Sequence, residues 1–219
     1  MKIQILISKK SWATKQINLI KKILSKFDKN IVIISDHKNL RNNYDINIIF
    51  SYFKIIEKKY LNKSKKNIVI HASNLPYGRG MSPLTWQILK GKTTVIFTLI
   101  EANEKMDEGK IYYKKKIKIP KDVLFNEIKK IQLESSLGLI FKFLGKYKKT
   151  GRFPVSFLQK GSPYYFKLRT KIHSKLNINK SIRSQFNHIR VCDPENYPSY
   201  FIINKKKFVI NVHKEIFKK

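Results

Sequence analysis

Apolar positions in the first half of the chain come as short β-branched runs separated by amphipathic stretches. Lys2–Ile7 reads as a strand, and Trp12–Phe27 as a helix with Ile17, Leu19, Ile20, Ile23 and Leu24 on its apolar side. Asn30–Ser35, Ile46–Phe50 and Asn67–His71 predict three further strands, the last running into a loop rich in proline and glycine. Ser82-Pro83 has the form of a helix N-cap with proline at the first position. It opens Leu84–Leu89, which closes near Gly91. Thr94–Ile100 and Lys110–Ile119 predict two more strands. Pro120-Lys121-Asp122 then precedes a long helix from Val123 to about Gly145, with Leu124, Ile128, Ile131, Leu137, Ile140 and Phe143 at helical spacing. Strands and helices alternating in this way predict an α/β fold: a Rossmann-like, mostly parallel sheet with helices on both faces and chemistry at the carboxyl ends of its strands.

The rest of the chain is organised differently. A loop-rich stretch with Gly151, Pro154, Gly161 and Pro163 leads to a predicted helix at Ser181–Val191. A hairpin of Tyr200–Ile203 and Phe208–Val212 over Asn204–Lys207 follows. We expect a core at 1–150 and a small carboxyl-terminal helix-plus-hairpin module at 151–219.

Composition narrows the functional classes. A hydrophobic fraction of 42% over 219 residues is enough for a real core and excludes a disordered basic tail. No apolar run approaches the roughly 20 residues of a membrane-spanning helix. The first apolar strand is broken by Lys9 and Lys10, so no signal peptide is expected, and the lone Cys192 fits a reducing cytoplasm. The net charge of +33, from 47 Lys+Arg against 14 Asp+Glu, invites a nucleic-acid reading. Against that reading, arginine occurs only at 41, 79, 152, 169, 183 and 190, and the lysines are dispersed along the whole length. Guanine edges and phosphate forks favour arginine, so the charge by itself assigns no partner.

The segment Asn67–Gly91 carries the candidate chemistry. His71 stands where a buried strand ends and a loop opens, a position that suits either a proton acceptor or a satisfied structural histidine. Glu104-Lys105-Met106-Asp107-Glu108-Gly109 places an acidic turn directly before a strand. Asp107 there is either a partner that orients His71 or an ordinary turn aspartate. No metal-ligand spacing is evident.

Three pieces in order, Val69-Ile70-His71-Ala72-Ser73-Asn74-Leu75-Pro76, Arg79-Gly80-Met81-Ser82-Pro83 and Asp107-Glu108-Gly109, resemble the formyltransferase family. That family includes methionyl-tRNA, glycinamide ribonucleotide and sugar N-formyltransferases. The His-Ala-Ser-Asn-Leu-Pro and Gly-Arg-Gly-Met-Ser-Pro-Leu-Thr-Trp wording is most similar to sugar-nucleotide N-formyltransferases of the pseudaminic-acid-pathway type. The resemblance implies the formyltransferase fold, 10-formyltetrahydrofolate as donor, and the amine of a nucleotide-linked amino sugar as acceptor, UDP-4-amino sugars favoured. It implies His71 and Asp107 as the catalytic pair. It places Ser51, Tyr52, Phe53, Leu75, Pro76, Ile100, Glu101 and Ala102 around the folate. In the tail, Arg169-Thr170, Phe186-Asn187-His188-Ile189-Arg190 and Tyr197-Pro198-Ser199-Tyr200-Phe201 are similar to the tail of sugar formyltransferases. Asn74, Arg79, Arg169, Asn187, Arg190 and Tyr197 become candidate acceptor contacts. Two departures stand out. Val69 occupies the place of the family's asparagine, and Lys171-Ile172-His173 replaces an expected Pro-Glu-Asp. Two alternatives therefore remain open: a methionyl-tRNA formyltransferase, and a non-catalytic relative that binds folate or a sugar nucleotide.

Overall fold

The computed structural model describes residues 1–215. Six strands form the central sheet: β1 (Ile3–Leu6), β2 (Val32–Ile34), β3 (Tyr44–Ile49), β4 (Ser64–His71), β6 (Thr94–Glu101) and β7 (Ile111–Lys118), in the order β2-β1-β3-β4-β6-β7. The first four pair in parallel, as the β-branched runs predict. β6 runs antiparallel to both β4 and β7, with His71 beside Thr98 and Val69 beside Ile100. The sheet is thus mostly parallel with one reversed strand. That reversal is set by the direct connection of β6 and β7 through the 102–110 loop, which has no helix to carry a crossover.

Layers form on both faces, unequally. On one, α1 (Ile17–Leu24), α3 (Pro83–Leu89) and α4 (Phe125–Thr150) bury Ile20, Leu24, Ile88, Ile140, Phe143 and Leu144 against Ile3, Ile5, Ile46, Ile48 and Phe97. The other is covered by the short α2 (Lys58–Leu61) and a helical turn at His37–Asn39, with Leu6, Ile34, Leu40 and Leu61 between them. Burying fully apolar residues such as these contributes roughly 1.5–3 kcal/mol per side chain, so the larger face carries most of the stability.

Three local expectations change. The predicted helix Trp12–Phe27 is a 3-10 turn at Trp12–Gln16 followed by α1, and Leu19 stands 44% exposed rather than on the buried side. Ser11, not a residue of the apolar stripe, starts this segment by accepting from Ala13 N–H at 3.0 Å. Ser82 precedes Pro83 as expected but adopts a left-handed backbone (φ 53°), and its hydroxyl caps nothing. The long helix begins at Phe125, where Glu127 accepts from the Leu124 N–H at 2.8 Å, and runs on to Thr150, ending at the left-handed Gly151.

A second, smaller sheet joins β5 (Tyr77–Gly80) in the Pro/Gly loop to β8 (Tyr164–Phe166) far along the chain. Gly80 makes this possible: at φ 92°, a side chain there would sit 2.5 Å from the Phe166 carbonyl oxygen. Beyond it come α5 (Ile182–Arg190), capped by Ser181, and the hairpin β9 (Ser199–Ile203) with β10 (Lys206–Ile210). Among the described residues no helix is long and apolar enough to cross a membrane.

Candidate functional site

Parallel pairing of β3 with β4 puts their carboxyl ends side by side, and the chain opens into loops at both. A cavity of about 310 Å³ lies there. It is walled by Ser51–Ile56 after β3, by Val69–Ala72 at the end of β4, by Gly80–Thr85, and by Ile100–Ala102 with the loop up to Gly109. His71 is buried on its wall, Nε2 2.6 Å from the carbonyl oxygen of Gly78 and Nδ1 3.3 Å from Asp107 Oδ1. A carbonyl can only accept, so Nε2 carries a hydrogen and Nδ1 is the nitrogen turned to the carboxylate.

Asp107 reaches this place because the 102–110 loop turns back on itself. Asp107 takes a left-handed backbone (φ 56°), and Gly109 lies so close to the Glu101 carbonyl that a side chain would meet it at 1.5 Å. The second Asp107 oxygen accepts from the Gly80 N–H at 2.8 Å. Burial pushes the Asp107 carboxyl up, but the hydrogen bond and charge of His71, with the Gly80 N–H and nearby Arg79, outweigh it. They hold the group below the usual carboxylate range. The loop is braced from outside. Gln159 donates to the carbonyl oxygens of Asp107 (2.7 Å) and Gly109 (2.9 Å) and accepts from Arg79.

A buried histidine against an ionised, half-buried aspartate on the wall of a cavity is an arrangement able to hold and pass a proton. The sequence profile of the formyl transferase family matches residues 37–132, the segment that supplies both members of the pair. Over that segment, less than half of the chain, the sequence is similar to the formyl transferase family. The methionyl-tRNA formyltransferase of Thermosipho melanesiensis is 28% identical over 166 residues, 75% of this chain and 52% of that protein. This chain spans about half the length of the curated relatives it matches. In fold, it superposes on a sugar N-formyltransferase from Shewanella sp. with a TM-score of 0.70 at 18% identity, covering 100% of both chains. On HypX from Aquifex aeolicus in complex with tetrahydrofolic acid, the TM-score is 0.76 at 16% identity, over 94% of this chain and 36% of that one.

The residues expected to surround the folate separate into two groups. Ser51, Tyr52, Phe53, Ile100, Glu101 and Ala102 line the cavity together with His71 and Asp107. Leu75 and Pro76 do not. Leu75 is 1% exposed and packs with Ile100 and Ile111 behind the wall, and so supports the cavity without facing it. Tyr52 turns its hydroxyl to His37 Nδ1 at 2.7 Å, which fixes its ring against that face of the sheet.

None of the six candidate acceptor contacts lines the cavity. Arg79 is committed within the chain: Nη1 donates to Glu108 at 2.8 Å and to Tyr165 at 3.0 Å, and Nε and Nη2 donate to Gln159. Asn74 is exposed and accepts from Lys114 at 2.6 Å. Arg169 lies over the Trp86 ring and donates to the His173 carbonyl at 3.0 Å, while Tyr197 is exposed on the module. The expectation for Arg190 is overturned. Its side chain is only 1% exposed, and its guanidinium donates to the carbonyls of Pro120 (2.9 Å) and Val123 (3.3 Å) and to Asn187 Oδ1 (2.8 Å). Arg190 pins α5 to the entry of α4, and Asn187 serves it rather than a ligand. Arg190→Met will therefore lower stability by about 2–4 kcal/mol, since two buried carbonyls lose their donor; urea titration of both proteins measures it.

Residues not foreseen from sequence also face the cavity: Trp12, Ser82, Thr85 and, from α4, Lys129, Gln132 and Ser136. The last three recur at positions i, i+3 and i+7 of a helix whose apolar stripe they flank, so a polar seam at that spacing was the available signal. Lys129 donates to Gln132 at 3.0 Å and sits over the rings of Trp12 and Phe125 at 5.0 and 5.3 Å. Burial pushes its ammonium down to about 8.

Proposed function

We propose that the chain is an N-formyltransferase that moves a formyl group from 10-formyltetrahydrofolate to the amine of a nucleotide-linked amino sugar. The observation that carries formyl transfer is the His71–Asp107 pair, held at 3.3 Å on the wall of a cavity at the carboxyl end of β4. Size and lining suit a folate ring. The 310 Å³ cavity has Ile49, Ile56, Val69 and Ile100 for an apolar face and the open backbone of 100–109 for polar edges. The donor supplies an activated formyl carbon on a nitrogen. The chain's residues supply the rest: the loops orient that carbon, and the Nδ1 side of His71 together with the Asp107 carboxylate takes up the proton that the attacking amine must lose, since Nε2 already carries a hydrogen. The same pair returns a proton to the departing nitrogen.

Val69 bears methyl groups where the family's asparagine bears an amide. Position 69 therefore offers no side-chain donor to charge developing on the formyl oxygen. A site with one donor fewer is expected to be slow, by on the order of 10²–10³ relative to one with both.

The sugar reading of the acceptor is supported by the wording of the 71–86 segment and by superposition over the whole length of a sugar N-formyltransferase. A methionyl-tRNA acceptor is the second reading, favoured by the curated relatives. One assay separates them. The purified protein with 10-formyltetrahydrofolate is offered UDP- and dTDP-linked 4-amino sugars and, separately, initiator methionyl-tRNA. Formylated sugar nucleotide, detected by mass spectrometry, is the expected product. Formyl-methionyl-tRNA alone selects the second reading, and no product from any acceptor removes both.

A further inference from the structure

The charges lining the cavity do not balance. Its three acids are all satisfied from within the chain: Glu101 by Lys66 and Tyr112, Glu108 by Arg79 and Tyr165, and Asp107 by His71 and Gly80. Lys54, at the rim, has Asp36 at 3.4 Å. Lys105 and Lys129 have no such partner among the described residues, but Lys105 is exposed to solvent, so Lys129 is the one of the two that burial isolates. Half-buried on α4, it makes no ion pair among the described residues, and its one hydrogen bond is to the neutral Gln132. Holding an ammonium away from both water and carboxylates is costly, and the Trp12 and Phe125 rings offset that cost only in part.

Its position is as telling as its lack of a partner. A second cavity, about 550 Å³, lies between α1, α4 and the 193–196 loop, lined by Leu19, Ile23, Phe125 and Leu133 among others. Trp12 and Lys129 are the two residues that line both cavities. A ligand extending from His71 out of the first cavity into the second would pass this ammonium and this indole. Of the three acids that line the second cavity, none forms an ion pair with Lys129: Glu195 is paired with Lys15, Asp193 takes its hydrogen bonds from the backbone and side chain of 195–196 and reaches Lys129 only through its charge, and Glu134 has no ion pair among the described residues.

We propose that Lys129 is the anion-recognition residue of the acceptor site, receiving a phosphate of the acceptor at the junction of the two cavities, with Trp12 beside it. This rests on the acceptor reading above, because a nucleotide-linked sugar carries a pyrophosphate between the reacting amine end and the base. The second cavity then takes the nucleoside end, where Trp12 and Phe125 provide aromatic surface. The amine end remains at His71. An ammonium without a carboxylate suits this task, since the phosphate supplies the missing counter-charge.

The test uses inorganic pyrophosphate and UDP as probes in calorimetric titrations of the wild-type protein and of Lys129→Met, Lys129→Gln and Lys129→Arg. Wild type and Lys129→Arg bind both probes. The two charge-free variants bind them about 10–100-fold more weakly, while the affinity for 5-formyltetrahydrofolate stays unchanged in all four. With an acceptor that turns over, KM rises by a similar factor in the charge-free variants and kcat stays within about threefold. Equal pyrophosphate affinity with and without the charge overturns the proposal. So does a loss of folate affinity instead, which would assign Lys129 to the carboxylates of the donor. Having two charge-free variants guards against one that fails to fold. Lys129-dependent pyrophosphate binding without turnover of any amino-sugar nucleotide leaves the anion site standing and removes the acceptor reading alone.

Discussion

His71→Asn lowers the rate of formyl transfer by about 10²–10⁴-fold while leaving the affinity for 5-formyltetrahydrofolate within a few-fold of wild type. The expectation follows from how the imidazole is held. Nε2 is tied to the Gly78 carbonyl and Nδ1 faces Asp107, so the ring's contribution is proton handling at a fixed place rather than grip on the donor. Asparagine keeps a donor that can reach the Gly78 carbonyl, and the loop after β4 has no reason to collapse. It has no nitrogen that takes up a proton. Single-turnover measurement of formyl transfer, alongside equilibrium binding of the folate, gives the two numbers. A variant that retains more than a tenth of the wild-type rate would return His71 to the status of a structural histidine. A loss of folate affinity equal to the loss of rate would place its role in binding.

Gly109→Ala is the second change expected to have a large effect, although residue 109 performs no chemistry. A methyl group there would lie 1.5 Å from the carbonyl oxygen of Glu101, and backbone cannot yield as a flexible side chain does. Either the 102–110 loop or the end of β6 must move. A cost of about 3 kcal/mol or more is expected, which for a chain of this size lowers Tm by about 6–12 °C. Because the displaced loop carries Asp107, the pair at His71 is broken as well, and formyl transfer falls with stability. Thermal unfolding and the transfer assay on one preparation test both. A variant with unchanged Tm would mean that the close approach relaxes at no cost.

Arg190, Gly109 and Lys129 show three ways in which a residue's role depends on its surroundings. Arg190 lies on a helix face with Phe186 and Asn187, and by residue type it suits a pyrophosphate. Burial among the Pro120 and Val123 carbonyls makes it a structural tie. Gly109 reads as a turn glycine, yet it is required by a backbone contact with a residue on the preceding strand. Lys129 is one of many lysines dispersed along the chain, and nothing in composition separates it from those in solvent. Only the packing of α4 beside Trp12 brings it to both cavities.

Local sequence did determine a great deal. Runs such as Ile3–Leu6, Ile46–Ile49 and Ile68–Ile70 are β-branched and short, so they can only be buried strands. Spacing alone placed α4 and α5 to within a few residues. The order of His71, the Gly/Pro loop and Asp107 was enough to mark a segment similar to the formyl transferase family, and the structure brings the two side chains together. Those features depend on neighbours along the chain, whose geometry is set by backbone preference and by the 2.0- and 3.6-residue periods. Tertiary structure decided the rest: the reversed β6, the joining of β5 to β8, the withdrawal of Arg79 and Arg190 from any ligand, and the unpaired charge of Lys129. Apart from β6, whose reversal follows from its short connection to β7, each depends on partners distant along the chain, and whether a charged side chain is free or spent is settled by those partners.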